Sequence, residues 1–206
     1  MNATVDFLLS EVYGHPVKVI IFSRHGDKTL DNHITLECLN EIMMNGMPGL
    51  THRINTIQHG SACVRSDETA SAAAIWILKN GGKITKHLSA DPRLGSDEIF
   101  AELFNPEIKN RMKENGWKNY ETIVKANSAG SKKFEKGVAE AIYEMFAQMK
   151  PGDIALSANH SPTVETAYNY FVDPKHRDEQ MAIASLDGII LVQVETDEGT
   201  GIFAHR

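Results

Sequence analysis

Cysteine is scarce in this chain: Cys38 and Cys63 are the two cysteines among 206 residues, and they do not form a CxxC motif. A disulfide framework is therefore not expected, and a reducing cytoplasm is the expected location. No apolar stretch approaches the roughly 18–20 residues that span a bilayer. The N-terminal stretch MNATVDFLLSEVYGH has no basic segment and only one short apolar run, Phe7–Leu9. We expect neither a signal peptide nor a membrane anchor.

Motifs that mark nucleotide-binding folds and metal sites are also missing. The sequence has no G-x-x-x-x-G-K-[ST] loop and no G-x-G-x-x-G turn, and its nine histidines show no spacing such as HExxH. We therefore expect no metal and no cofactor. The net charge of −6 argues against nucleic acid or a membrane surface as the main partner, because phosphate backbones attract clustered Lys and Arg. A small anionic ligand is still compatible with a local pair of arginines.

Two segments predict strands that are buried on both faces. Val17–Phe22 (VKVIIF) and Asp153–Ala158 (DIALSA) are short and rich in apolar residues. The other predicted strands are Ile54–Gln58, Ile84–Leu88, Met181–Leu186, Ile189–Glu195 and an edge segment, Ile202–Ala204. Helical spacing predicts helices over Ile34–Met44, Ser66–Leu78, Phe100–Lys113, Tyr120–Asn127 and Ser131–Met149, and a last one with Ser161 as N-cap and Pro162 at its first position.

The order of these elements predicts the fold class. Strands alternate with helices, and Asp187-Gly188 lies between two apolar runs, which is a strong hairpin signal. We expect an α/β protein: a three-layer sandwich with a mostly parallel central sheet flanked by helices and a closing antiparallel hairpin. No linker divides the chain, so residues 1–206 are expected to form a single domain.

Three polar clusters follow predicted strands: Arg24-His25-Gly26, Ser61–Arg65 and Asn159-His160-Ser161. In open α/β folds, ligands bind beyond the carboxyl ends of the strands. Two arginines, two histidines and two helix N-termini suit a dianionic tetrahedral group, because guanidinium forks and free backbone N–H groups bind phosphate oxygens. A neutral imidazole can also attack phosphorus and form a covalent intermediate.

These motifs together resemble the histidine phosphatase superfamily, and more narrowly its phosphoglycerate-mutase-like branch. The resemblance rests on RHG after a buried strand, on Arg65 followed by Thr69-Ala70, and on a late His160 after DIALSAN, and it covers nearly the whole chain. It implies that His25 is the nucleophile that becomes a phosphohistidine and that Arg24 and Arg65 hold the phosphoryl oxygens. It also implies that His160 donates to those oxygens and stabilises the transition state.

Two small residues complete the predicted phosphate site. Gly26 belongs to the RHG triplet and is expected to lie against the phosphoryl group. Ser61 either hydrogen-bonds a phosphate oxygen or only shapes the turn before Arg65.

The general acid departs from the family pattern. In the pattern Asp-x-Arg-Leu-x-Glu the last residue protonates the leaving oxygen, whereas here Ser96 follows Asp91-Pro-Arg-Leu94-Gly95. A shift of one or two residues would bring Asp97 or Glu98 into that role, with Glu98 the better placed for reach. Alternatively, both are solvated acids at a helix start. Without either acid, activated phosphates would be the natural substrates.

Glu165, five residues after His160, is a further candidate. It either orients a catalytic side chain or is a solvated helix position, and the second is favoured.

The predicted function is that of a metal-independent phosphomonoesterase, a phosphoric monoester hydrolase similar to the histidine acid phosphatases, acting through a phosphohistidine at His25. A phosphoglycerate-mutase-type phosphotransferase is less favoured, because mutases need longer covering loops to exclude water. A catalytically weak phosphate-binding module is the alternative outside enzymes. The expected partner is a small phosphorylated substrate or a phosphoprotein, and neither the substrate nor the oligomeric state follows from the sequence.

Overall fold

The protein is built on one mixed β-sheet. The computed structural model describes residues 17–126, 128–196 and 199–206; the N-terminal stretch considered above lies outside them. Six strands of this part form the sheet: β1 (Lys18–Arg24), β2 (Thr56–Gln58), β3 (Lys86–Leu88), β4 (Ile154–Asn159), β5 (Gly188–Thr196) and β6 (Gly199–His205). They pair in the order β3-β2-β4-β1-β5-β6. Neighbouring strands run parallel from β3 to β1, and β5 runs antiparallel to β1 and β6.

Helices cover both faces of the sheet. Successive strand residues point to opposite faces, so Ile20 and Phe22 of β1 join one apolar cluster and Val19 and Ile21 join the other. The described helices are α1 (Leu36–Asn45), α2 (Val64–Lys79), α3 (Asp97–Leu103), α4 (Pro106–Asn115), α5 (Asn119–Ala126), α6 (Ala129–Gln148) and α7 (Thr163–Phe171). Residues of α6 and α7 belong to the first cluster, and residues of α1 and α2 belong to the second. The predicted three-layer α/β class is confirmed. None of these helices combines the length and apolar character needed to cross a membrane.

The register of the two central strands positions the polar clusters. β1 and β4 are parallel, with Arg24 opposite Asn159. The next peptide continues this alignment, because the His25 backbone N–H donates to the Asn159 carbonyl oxygen at 2.8 Å. His25 and His160 therefore leave the sheet side by side, where an open α/β fold places its ligands.

The turn that follows β2 depends on a glycine. Gly60 has a φ of +62°, and a Cβ on it would lie 1.6 Å from the Ala158 carbonyl oxygen of β4. A side chain at this position would push the turn away from β4. Glycine thus lets the chain pass close to the sheet immediately before α2, the helix that carries Arg65.

Two predicted segments are wrong. The helix predicted over Phe100–Lys113 is divided into α3 and α4, because Pro106 disfavours helical geometry at Asn105, which caps α4 instead. Met181–Leu186 is not a strand: both backbone polar groups of Ile183 bond to side chains, so they are not available to a ladder.

The closing hairpin is confirmed, but β5 and β6 form it rather than the segments around Asp187-Gly188. Gly188 begins β5, and a Cβ on it would lie 2.5 Å from the Phe22 carbonyl oxygen. This glycine serves close packing between strands and not a turn. The start of the last helix is also corrected: Pro162, not Ser161, occupies the N-cap of α7, because the Ser161 hydroxyl is bonded to Glu165.

Candidate active site

A cavity of about 520 Å³ lies at the carboxyl ends of β1 and β4. The end of β1, the start of α2 and the end of β4 supply its polar floor, and residues of α3 and α4 add to its walls. Four of the residues predicted to handle phosphate line it together: Arg24, His25, Arg65 and His160.

The ring of His25 is oriented by two hydrogen bonds. Arg65 Nε lies 3.0 Å from His25 Nε2, and a guanidinium can only donate, so Nε2 carries a lone pair. The proton is therefore on Nδ1, which donates to the Gly26 carbonyl oxygen at 2.5 Å. The same geometry that fixes the tautomer places the nucleophilic nitrogen beside Arg65.

His160 is held against His25 by the same arginine. Arg65 Nη2 donates to His160 Nδ1 at 3.1 Å, and the two imidazole centroids are 4.7 Å apart. On the far side, His160 Nε2 lies 3.3 Å from the Ser66 hydroxyl, which bonds to the Ser61 hydroxyl at 2.8 Å. Because the guanidinium can only donate, Nδ1 of His160 carries a lone pair here and the proton is on Nε2, where the Ser66 hydroxyl can accept it.

The two arginines are anchored by the fold. Arg65 is in the first turn of α2, where Thr69 Oγ1 donates back to its carbonyl oxygen at 2.8 Å and accepts from the Gly26 N–H at 3.2 Å. Arg24 ends β1, and its Nη1 donates to the Ile183 carbonyl oxygen at 2.6 Å. The guanidinium of Arg24 is thus directed by a main-chain oxygen from another segment, whereas the backbone of Arg65 is tied through Thr69 to Gly26, next to His25.

Burial keeps both imidazoles neutral. The pKa of His25 is lowered to about 4, chiefly by burial; the bond to Gly26 opposes the shift, and Arg65 and Arg24 add to it. The pKa of His160 is lowered still further, first by burial, then by the neighbouring ring of His25 and then by Arg65 and Arg24. A neutral His25 has the free electron pair that a nucleophile needs at physiological pH.

We expect the ring signals of His25 and His160 to show no protonation between about pH 5 and 8 in an NMR titration. His33 is expected to titrate above its ordinary value in the same spectra, because Glu68 accepts a hydrogen bond from its ring. Between about pH 6.5 and pH 4, the two site imidazoles take up protons in the unfolded chain but not in the folded one. The free energy of unfolding therefore decreases as the pH falls through this range. Protonation of His25 at its ordinary pH would contradict the buried, neutral arrangement.

The two predicted acids lie on different sides of the start of α3. Asp97, the first residue of the helix, lines the cavity, and its charge attracts Arg65. Glu98 is fully exposed, does not line the cavity, and has a lowered pKa because it hydrogen-bonds Ser96. The structure thus brings Asp97, and not Glu98, to the histidines.

The two small residues of the predicted phosphate site have different positions. Gly26 lines the cavity, although its N–H is bonded to Thr69. Ser61 is 1% exposed and does not line the cavity; it lies behind His160, which it reaches through Ser66.

Several residues at the site were not identified from the sequence. Ser66 and Thr69 support the two histidines, and Phe100 packs edge-on against His160 with centroids 5.2 Å apart. The expectation that Glu165 is solvated is wrong, since the residue is 0% exposed and accepts a hydrogen bond from Ser161. The four-residue spacing of Ser161 and Glu165 at a helix start was the signal available in the sequence.

Within residues 17–126, 128–196 and 199–206, no group of three or more His, Cys, Asp or Glu side chains is arranged to hold a metal ion. The cavity itself has Asp27 and Asp97 as its carboxylates, and it has four cationic side chains. Its donors therefore fit an anionic ligand better than a cation. The cations are Arg24, Lys28, Arg65 and Lys109.

No protein-family model and no curated protein matches the chain. Solved structures do share its fold. YhfR from Bacillus stearothermophilus is 12% identical with a TM-score of 0.56, over 90% of this chain and 95% of that one. Phosphoserine phosphatase from Entamoeba histolytica, solved in complex with phosphoserine, is 14% identical with a TM-score of 0.54, and the match covers 90% of this chain and 94% of that one. The protein of open reading frame Rv3214 from Mycobacterium tuberculosis is 13% identical with a TM-score of 0.54, and the match covers 90% of this chain and 95% of that one.

These neighbours are members of the histidine phosphatase superfamily, and this chain has the fold of that superfamily. The resemblance drawn from RHG, Arg65 and His160 is thereby confirmed for the fold, at sequence identities of 12–14%. The chemistry of the site is a separate inference, which starts from the side chains themselves.

Proposed function

We propose that this protein is a phosphomonoesterase in which His25 takes a phosphoryl group from the substrate and passes it to water. The observation that carries the proposal is the position of Arg65, whose guanidinium donates to His25 Nε2 at 3.0 Å and to His160 Nδ1 at 3.1 Å. The guanidinium fork matches the spacing of phosphate oxygens. A phosphoryl group that binds Arg65 is consequently placed beside the lone pair of His25 and beside His160.

The geometry supports a two-step reaction. In the first step, His25 Nε2 forms a bond to phosphorus while the bond from phosphorus to the leaving oxygen breaks. The Gly26 carbonyl oxygen, which accepts from Nδ1, stabilises the positive ring of the phosphohistidine. In the second step, water attacks phosphorus and the electron pair returns to Nε2.

Cationic donors stabilise the transition state of both steps. Arg24 and Arg65 neutralise the charge that spreads over the phosphoryl oxygens. When a bound phosphoryl group takes Arg65 Nη2 away from His160 Nδ1, the His160 ring can adopt the tautomer with its proton on Nδ1. In that tautomer His160 donates to the phosphoryl oxygens, while Ser66 donates to Nε2. Because these side chains supply the positive charge, the proposed reaction does not depend on a metal ion.

The fold and the cavity support a small phosphorylated substrate. The phosphoserine phosphatase with the same fold was solved with phosphoserine bound. The cavity here has an apolar wall formed by Phe100, Phe104 and Met112, next to the phosphate-binding side chains. We propose that this wall contacts the organic part of a phosphomonoester.

Turnover of 4-nitrophenyl phosphate in EDTA tests the proposal. We expect release of inorganic phosphate to persist in EDTA, and an alkaline quench during turnover to leave one phosphoryl group on the peptide that contains His25. Binding of the ester without release would instead support a phosphate-binding module, and transfer to a second hydroxyl group without net release would support a mutase. Release that stops in EDTA would contradict the metal-independent reaction.

A further inference from the structure

Glu165 is a carboxyl group buried directly behind the cavity. It lies on α7, is 0% exposed, and has no lysine, arginine or histidine partner within salt-bridge distance among the described residues. Burying a carboxylate without such a partner is costly, and the cost is smaller when the acid is protonated.

Two hydrogen bonds hold the Glu165 carboxyl group at the site. Its Oε1 accepts from the Ser161 hydroxyl at 2.8 Å and from the Ile183 backbone N–H at 3.0 Å, and its Oε2 is buried without a hydrogen-bond partner. Ser161 lines the same cavity as His25 and His160. The hydroxyl of Ser161 therefore joins the cavity to a carboxyl group on the other side of its wall.

The proposed reaction needs a proton at this place. An alkoxide is a poor leaving group, so the oxygen that leaves phosphorus must receive a proton as the bond breaks. Asp97 lines the cavity from an exposed position at the start of α3, and its charge attracts Arg65. Burial favours the protonated form of Glu165, since it raises the pKa of this carboxyl group against the opposing hydrogen bonds. When Glu165 carries its proton on Oε1, the hydrogen bond runs in the other direction: the carboxyl group donates to Ser161 Oγ across the same 2.8 Å, and the Ser161 hydroxyl hydrogen is free to point into the cavity.

We propose that Ser161 and Glu165 form a proton relay that serves the leaving oxygen of the substrate. This inference rests on the phosphomonoesterase function proposed above. When the bond from phosphorus to the leaving oxygen breaks, that oxygen takes the hydroxyl proton of Ser161, and Ser161 takes the carboxyl proton of Glu165. Glu165 becomes a carboxylate, and the alcohol departs. When water attacks the phosphohistidine, its proton goes to Ser161 and the Ser161 proton returns to Glu165, which restores the starting state.

A purely structural role for Glu165 makes a different prediction. The N–H of Ile183 donates to Glu165, and the carbonyl oxygen of Ile183 accepts from Arg24, so Glu165 also helps to position Arg24. Losing that support would slow all substrates alike, because Arg24 acts on the phosphoryl group that they share. A relay matters only for substrates whose leaving oxygen needs a proton.

The experiment compares two esters of similar shape, 4-nitrophenyl phosphate and 4-nitrobenzyl phosphate. The first releases a stable phenolate, whereas the second releases an alcohol that must be protonated. The quantity measured is kcat/KM, because it covers the steps up to departure of the alcohol. We expect Glu165→Gln and Ser161→Ala to keep 4-nitrophenyl phosphate within roughly threefold of wild type and to lose about 100-fold on 4-nitrobenzyl phosphate.

Thr166→Val is the matched control. Thr166 is the next residue on α7, is 3% exposed, and has a hydroxyl without a hydrogen-bond partner, so both esters should keep wild-type rates. If Glu165→Gln fails to fold, Ser161→Ala still distinguishes the relay from a structural role. It removes the relay hydroxyl and leaves the hydrogen bond from the Ile183 N–H to Glu165 in place. Equal losses on the two esters, or no loss on 4-nitrobenzyl phosphate, would overturn the relay alone. A wild type that hydrolyses neither ester would overturn the proposed function and the relay with it.

Discussion

Replacing His25 by alanine is expected to lower kcat/KM for 4-nitrophenyl phosphate by at least roughly four orders of magnitude. The variant loses the nitrogen to which the phosphoryl group is transferred. His160 also accepts from Arg65, but in the proposed reaction it is a donor to the phosphoryl oxygens and its ring is held from behind by Ser66, so we do not expect it to replace His25 as the nucleophile. We expect phosphate binding to survive, since Arg24 and Arg65 are retained.

The control for this variant is His87→Ala. His87 is exposed and lies outside the cavity, where its ring stacks on His59 with centroids 5.6 Å apart, so its removal should leave turnover unchanged. Phosphate binding by the His25 variant can be measured by calorimetry in the same buffer. If His25→Ala retains more than about a tenth of wild-type turnover, the phosphohistidine reaction is wrong.

The central sheet could be predicted because its strands are buried on both faces. Ile20, Ile21, Ala155 and Leu156 are each at most 1% exposed, and such strands are short and apolar in sequence. Their parallel direction follows from the helical connections between them, so their carboxyl ends lie at the same edge of the sheet; the observed register then brings His25 beside Asn159. Sequence position alone was therefore enough to bring the RHG triplet and His160 together.

The segment 181–186 could not be predicted in the same way. Met181 and Ile183 are only 2% and 1% exposed, so the apolar pattern of the segment does indicate burial. Its backbone, however, bonds to Arg24 and Glu165, which are far away in sequence. Local periodicity reports burial, but it does not report whether a backbone group is paired with a strand or with a side chain.

The same segment explains why the sequence favours a solvated position for Glu165 whereas the structure buries it. Val164, Ala167 and Phe171 form the apolar stripe of α7, and Glu165 lies beside that stripe, where a single amphipathic helix would expose it. The helix is instead covered on a second side, and Ile183 contacts Glu165 there. The spacing of Ser161 and Glu165 indicates a local hydrogen bond, but burial of this kind depends on packing between distant segments, which the local pattern of a helix does not report.

Replacing Arg65 by lysine is expected to lower kcat for 4-nitrophenyl phosphate by roughly 10²- to 10³-fold. Lysine keeps the positive charge, but its ammonium is a point charge on a flexible stem. It cannot donate to His25 Nε2 and His160 Nδ1 at once from a fixed plane, as the guanidinium does at 3.0 and 3.1 Å. The loss should therefore be large although the net charge is unchanged.

Arg111→Lys provides the matched control. Arg111 is exposed on α4, pairs with Glu107 at 2.6 Å and does not line the cavity, so turnover should be unaffected. The Arg65 variant should also shift the ring signals of both His25 and His160 in NMR spectra, because both lose the same donor. Turnover within threefold of wild type would show that a cation alone is sufficient at this position. The fork that joins the two histidines would then be a feature of the fold and not of the reaction.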